Sequence, residues 1–251
     1  EGSYDIPYRC YLARGFDNLF ISGRSLSASK LAMASSRVMA TCAVGGQAIG
    51  TAAAQAIARQ TDIRHIDVQA LQQTLLRDDC YLPCVRNADP NDLARTARVT
   101  ASSEENDYAA ENVLSGVSRE IDGEKNAWRS AGFSQTGEWL QLALPAAQEI
   151  ALAQLTLDSN FALEKKMTMS SRRQKQQETG VPKELLRDFD VVLLRDGQEQ
   201  ARQAVRGNYQ RLARVAFAEK VLCDSVRIEI HSTNGLKQAR IFEVRLYKNA
   251  D

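Results

Sequence analysis

Apolar and polar positions follow two different rhythms along this chain, and the change falls near residue 96. Before it the spacing is helical. Val38, Cys42, Gly45, Ile49, Ala52 and Ala56 recur at intervals of three and four within an Ala/Ser/Gly-rich, proline-free stretch, which predicts one long helix over 31–60. Gly46, Gly50, Ala53 and Ile57 form a second, mostly small-residue face of that helix, on which another backbone or a flat ligand can come close. The short apolar run Asn18–Ser22, ending at Gly23, predicts a buried strand. Residues 67–76, with Leu71 and Leu75 in phase, predict a further helix. A polar connector over 83–96, holding Pro83 and Pro90, marks the domain boundary.

Beyond the connector the period becomes two. Leu140, Leu142 and Leu144 alternate with Trp139, Gln141 and Ala143, and the same alternation runs through 189–194, 226–231 and 241–246. Turn signals at Asp196-Gly197, Gly207-Asn208 and Asn234-Gly235 separate these runs. Several short strands so arranged predict an antiparallel β-sandwich, each strand giving one face to the core and the other to solvent or a partner. Residues 116–128 lack a clean period and read as loop. Residues 164–187 are a polar insertion with seven Lys/Arg against three Glu. They read as a solvated loop or, more sharply, as an electropositive lip for an acidic ligand or a neighbouring domain.

Composition adds limits. The 251 residues are 44% hydrophobic and 25% charged, as in an ordinary soluble, well-packed protein. A net charge of +1 gives no global pull toward nucleic acid, and no apolar run approaches the ~20 residues of a membrane span. Five cysteines, odd in number and irregular in spacing, do not form a disulfide framework, and no second pair completes a zinc set around Cys80 and Cys84. The start, Glu1-Gly2-Ser3, reads as a chain already cut or as a cloned piece. The expectation for the compartment leans toward a secreted or periplasmic bacterial protein.

Three ordered blocks carry a first resemblance: Asp17-Asn-Leu-Phe-Ile-Ser-Gly-Arg24, Arg37-Val-Met-Ala-Thr-Cys42 and Gly46-Gln-Ala-Ile-Gly-Thr-Ala-Ala-Ala54. Residues 1–82 thereby resemble the C-terminal segment of the FAD-binding domain in bacterial FAD-dependent oxidoreductases of the glutathione-reductase-like superfamily. The resemblance implies that Gly23 and Arg24 lie by the ribityl–diphosphate, that Arg37, Thr41 and Cys42 lie near the isoalloxazine, and that Gly46 and Gly50 permit close helix packing. Arg24 stands where many relatives of the wider superfamily carry an Asp that bonds the ribityl hydroxyls. The dinucleotide fingerprint Gly-x-Gly-x-x-Gly occurs nowhere in the chain. The expectation is therefore that this polypeptide alone is inactive and that its partner is the N-terminal part of its own parent protein.

Residues 97–251 carry a second resemblance, to the discoidin or coagulation-factor type C group of galactose-binding-like, jelly-roll sandwiches. The matching blocks are 97–102, 110–116, 126–130, 138–144 and 239–247. The fold class expected for the whole is α+β, a helical or αβ flavin-domain remnant followed by the sandwich. The resemblance implies a carbohydrate ligand at loops on one end, with Tyr108, Phe133, Phe161 and Tyr209 as candidate platforms. Trp128 and Trp139 read as core. It also implies a structural Ca²⁺ near 112–126, for which Asp122, Glu124, Asn126 and Ser118 could supply oxygens, with Glu243 from the last strand. No nucleophile elbow and no distinct catalytic carboxylate pair occurs, so no catalytic residue is assigned. The functions left are an oxidoreductase fragment acting, in its parent, on a sugar-like or other small organic substrate, with a sandwich that packs or binds sugar, and a carbohydrate-binding module without catalysis.

Overall fold

A computed structural model of the chain describes residues 3–133, 137–161, 163 and 168–250. It folds as two compact units, Glu1–Ala88 and Asp89–Asp251.

The first unit is helical. Where one helix was expected over 31–60 there are two, α1 (Lys30–Ser36) and α2 (Met39–Ala58). Val38 has extended backbone (ψ 147°) and ends the first run, although neither Gly nor Pro marks the break. α3 (Val68–Arg77) forms as its pattern predicts. The Asp67 carboxylate accepts from the Gln69 and Ala70 amides, which caps the helix, and Leu71 and Leu75 are buried. They pack with Ala52, Ala56 and Ile66 in a small core. The strand expected over 18–22 is not a buried one: Leu19 is exposed, and among the described residues the run makes a single antiparallel bridge, Leu12 with Phe20. A strand without a ladder leaves its groups to turns and loops.

Gly45 is the position of the α2 face where size matters most. A Cβ there would lie 2.6 Å from the Tyr11 hydroxyl oxygen. Gly45→Ala is therefore expected to destabilise this unit by about 1–3 kcal/mol, despite Ala's better helix propensity. Urea unfolding followed by helical circular dichroism checks the sign.

The second unit is an antiparallel sandwich of seven strands: β1 (Arg98–Ala101), β2 (Trp128–Arg129), β3 (Glu138–Leu157), β4 (Leu186–Arg195), β5 (Gln198–Val205), β6 (Leu212–Thr233) and β7 (Arg240–Tyr247). A short helix, α4 (Ser171–Gln176), lies in the polar insertion. The long strands β3 and β6 serve both layers, because their pairing shifts register between Ala143 and Gln148. Their halves at 138–143 and 225–230 belong with β1, β4 and β5. Their halves at 148–157 and 212–223 belong with β7, which β2 extends. Leu140, Leu142, Phe189, Val191, Ile228 and Leu155 meet in the core between the layers.

The alternation in 138–144 is kept, but β7, most of β4 and the second half of β3 are buried on both faces. Asp196-Gly197, both with positive φ, close the β4–β5 hairpin as the sequence indicates. Residues 89–96, part of the stretch expected as connector, are packed onto the sandwich. The Asp92 carboxylate accepts from the Ala94 amide and from the Leu246 amide on the edge of β7 that two-residue β2 does not reach. Tyr247 donates to Asp89. An edge amide is satisfied this way without a further strand.

Candidate functional site

Because β3 and β6 fold over between the layers, the connection after β1, strand β2, the connections from β3 to β4 and from β6 to β7, and the start of β7 meet at one end. Their polar residues line a pit of about 150 Å³ formed by Arg129, Asp158, Asn160, Glu184, Gln238 and Arg240, with Leu236 at its wall.

Local turn chemistry sets each group. Asp158 follows β3 and is buried. One of its oxygens accepts from the Asn160 amide (2.7 Å), which turns the chain so that Asn160 adopts φ 54°; the other pairs with Arg240 (3.0 Å). The Asn160 side chain donates to Glu184 just before β4 (2.7 Å). Glu105 holds the opposite wall, accepting from Gln238 (2.8 Å) and pairing with Arg129 (2.6 Å).

Beneath the pit, arginines and aromatic rings alternate. The Arg211 guanidinium lies over Phe161 (4.4 Å) and Phe242 (5.4 Å), Arg240 over Phe242 and Tyr108 (both 4.9 Å), and Arg129 over Tyr108 (3.9 Å). Tyr108 donates to Glu120, which also pairs with Arg240 and Lys125. Burial pushes the Glu120 carboxyl up, and the Tyr108 hydrogen bond with the Arg240 and Lys125 charges outweighs it, so its pKa lies below the ordinary value.

Among the described residues, the buried Glu184 Oε2, Arg240 Nε and Ser159 Oγ at this end have no protein hydrogen-bond partner. Two accept and two donate among them, the serine hydroxyl doing either. Such orphans are costly unless something else satisfies them.

Of the platforms expected to be exposed, Tyr108 and Phe133 are not, while Phe161 and Tyr209 are. Tyr108 is buried, a floor under three cations rather than an exposed loop ring. Phe133 is partly buried against the core. Phe161 and Tyr209 are 59% and 70% exposed. Trp128 is fully buried; Trp139 is half-buried beneath the Arg227 guanidinium (4.9 Å).

The expected calcium residues are not gathered. Asp122-Gly123 forms a tight turn with both φ positive, and the Asp122 and Glu124 side chains are exposed. Asn126 donates to the Arg119 carbonyl, the Ser118 carbonyl accepts from Arg211, and Glu243 pairs with Arg245 in β7 (2.9 Å). Among the described residues no group of three or more His, Cys, Asp or Glu is placed to hold a metal ion. Of the polar insertion, 164–167 lie outside the described residues; among the described ones, residues 178–183 line a second cavity, while Arg172, Arg173 and Lys175 line neither it nor the pit. The structure also ends the insertion early, since Leu185 and Leu186 are core.

In the helical unit, Gly23 has φ 68° and opens a short turn, and Arg24 and Arg37 are exposed. Gly46 faces this turn, 3.7 Å from the Ser22 hydroxyl by its would-be Cβ. Gly50 has open space where a Cβ would be. Thr41 and Cys42 are half-buried in the first turn of α2, whose N-cap, Val38, supplies no side-chain acceptor. Apolar side chains are left uncovered on these helices, Leu31 at 86%, Met39 at 82% and Ile57 at 79% exposed. Among the described residues no helix is long and apolar enough to cross a membrane.

Residues 1–75 match the family described as FAD dependent oxidoreductase. The chain thus joins a segment that matches this family's model to an antiparallel β-sandwich. Among solved structures it is similar to the lectin domain of lectinolysin complexed with Lewis B antigen, at 22% identity over 64% of this chain and 99% of that one (TM-score 0.48). It is also similar to a family 32 carbohydrate-binding module of Streptococcus pneumoniae EndoD, at 18% identity over 63% and 99% (TM-score 0.48). A third is the family 32 module of C. perfringens NanJ in complex with galactose, at 14% identity over 62% and 98% (TM-score 0.43). No curated protein matches the chain.

Proposed function

We propose that this chain is the C-terminal part of an FAD-dependent oxidoreductase and that its sandwich holds the enzyme on carbohydrate through the loop-end pit. The observation that carries the second half is the set of unsatisfied atoms there. Glu184 Oε2 wants a donor and Arg240 Nε an acceptor. A neutral diol offers both, and the remaining walls are fixed by ion pairs and need not rearrange. A glycan array probed with the full 251-residue chain should give reproducible hits. Glu184→Gln should weaken them about tenfold or more, the effect of discharging one charged hydrogen bond. An array without hits, or hits indifferent to this substitution, would remove the pit from the function.

For the flavin half, the residues present fit the closing edge of a cofactor site. Gly23 and Gly46 allow close approach, and the uncapped start of α2 presents a partial positive charge suited to an electron-rich flavin edge. FAD, when bound in the parent, supplies the redox chemistry; these residues shape one wall of its site. The uncovered Leu31, Met39 and Ile57 are the surface expected to meet the rest of that domain. Purified alone, the chain is expected to lose flavin on gel filtration, whereas the parent should keep a visible flavin spectrum. A stable yellow complex of the isolated chain would contradict this division of labour.

A further inference from the structure

Next to the pit lies a larger cavity of about 260 Å³, built entirely by the connection between β3 and β4. Its lining is mixed. Leu163, Val181 and Pro182 give an apolar wall; Ser159, Asn160 and Thr179 give polar atoms. Leu163 and Val181 are each about two-fifths exposed, and Ser159 Oγ is buried without a hydrogen-bond partner. Asn160 lines both cavities, with its amide fixed on Glu184 in the pit. Among the described lining residues the one acid and the one base pair with each other, Lys183 with Glu178 (3.0 Å).

A hexose ring has an apolar C–H face and a hydroxyl rim. A wall of aliphatic side chains beside an orphaned hydroxyl, with no net charge, matches such a ring and does not match an acidic or cationic ligand. Two cavities sharing one wall residue suit two rings joined by one glycosidic bond.

We propose that Ser159, Asn160, Leu163 and residues 178–183 form a second saccharide subsite beside the pit, so that the sandwich takes a neutral glycan of at least two units rather than a single terminal sugar. The proposal rests on the carbohydrate reading of the pit. It makes the two described ends of the connection between β3 and β4 a device for selecting ligand length.

The test is calorimetric titration of the full chain with galactose, glucose, fucose and N-acetylglucosamine, and with neutral disaccharides and trisaccharides ending in each. For the sugar the pit accepts, the disaccharide should bind about tenfold more tightly than the monosaccharide, because a second ring covers apolar surface. Val181→Arg, which fills the second cavity, should bring the disaccharide down to the monosaccharide's affinity. Leu163→Ser, at another exposed position, should shrink the gap in the same direction, and an unchanged melting temperature shows each variant is folded. Equal affinity for both lengths in the unaltered chain, or a gap untouched by both substitutions, overturns the second subsite while leaving the pit intact. Absence of binding by every saccharide overturns the pit and the subsite together.

Discussion

Trp128→Ala is expected to destabilise the sandwich by about 3–5 kcal/mol, the range for emptying a large aromatic site in a core. Trp128 is fully buried and packs in the main cluster with residues of both layers. Its indole N–H donates to the Ser103 carbonyl (2.9 Å), so truncation also strands an acceptor. That carbonyl belongs to a fixed corner: the Ser103 hydroxyl donates to Glu138 (2.7 Å) and accepts from the Ala131 amide (3.0 Å). Trp128→Phe should recover much of the packing and none of the hydrogen bond, and so fall between the two. Urea denaturation with a constant m-value measures the loss. A loss below about 1 kcal/mol with abolished glycan binding would instead make Trp128 a sugar platform. Trp139 is the contrast. It is half-buried and carries Arg227 on its face, and its removal should cost clearly less.

Of the two tryptophans that read as core from sequence, Trp128 is buried and Trp139 is only half-buried on the outward side of its strand, which shows what periodicity conveys. A strand buried on one face repeats every two residues, and 138–144 keeps that repeat in its burial. Helix α3 was equally legible, because Asp67 and the Leu71/Leu75 spacing agree. The break between α1 and α2 was not, since Arg37 and Val38 carry no breaker chemistry and only extended backbone at Val38 makes it. The Asn18–Ser22 run looked like a strand because apolar β-formers specify a pleated surface, while pairing is decided by neighbours the pattern does not name.

The pit was the least legible part. Arg129 of β2 and Asp158, Glu184 and Gln238 of the connections come from positions up to more than a hundred residues apart, and each alone looks like a solvated surface residue. Arg129 and Arg240 did lie inside blocks that carried the sandwich resemblance, the one local signal available. Tyr108 was misread as exposed for the same reason. A tyrosine in a loop goes inside only when distant groups close over it, here Arg129, Arg240 and Glu120.

Arg240 is where fold and candidate function meet, and Arg240→Met is expected to damage both. Its guanidinium lies between Asp158 and Glu120 and spans the Tyr108 and Phe242 rings. Met keeps an unbranched apolar stem of similar length and removes the guanidinium with its charge, its N–H donors and its contacts with the rings. Asp158, almost wholly buried, then loses its cation, and a buried carboxylate left without its counter-charge costs several kcal/mol. Because Arg240 itself is partly open to solvent, the expected loss at neutral pH is about 2–4 kcal/mol. The pH dependence separates this from a packing defect. In the unaltered chain the depressed pKa of Glu120 contributes stability that is present above the ordinary value of 4.5 and is lost as pH falls through the lowered one. Without Arg240 that depression shrinks, so the stability of the variant should fall less steeply with acid and approach that of the unaltered chain at low pH. A packing defect would instead keep the two curves parallel. Glycan binding should fall below detection, since Arg240 Nε and the Asp158 turn that orients Asn160 are lost together. Parallel curves combined with undiminished glycan affinity would mean that Arg240 neither holds the loop end nor meets the ligand, and the pit would then lose its claim to be the site.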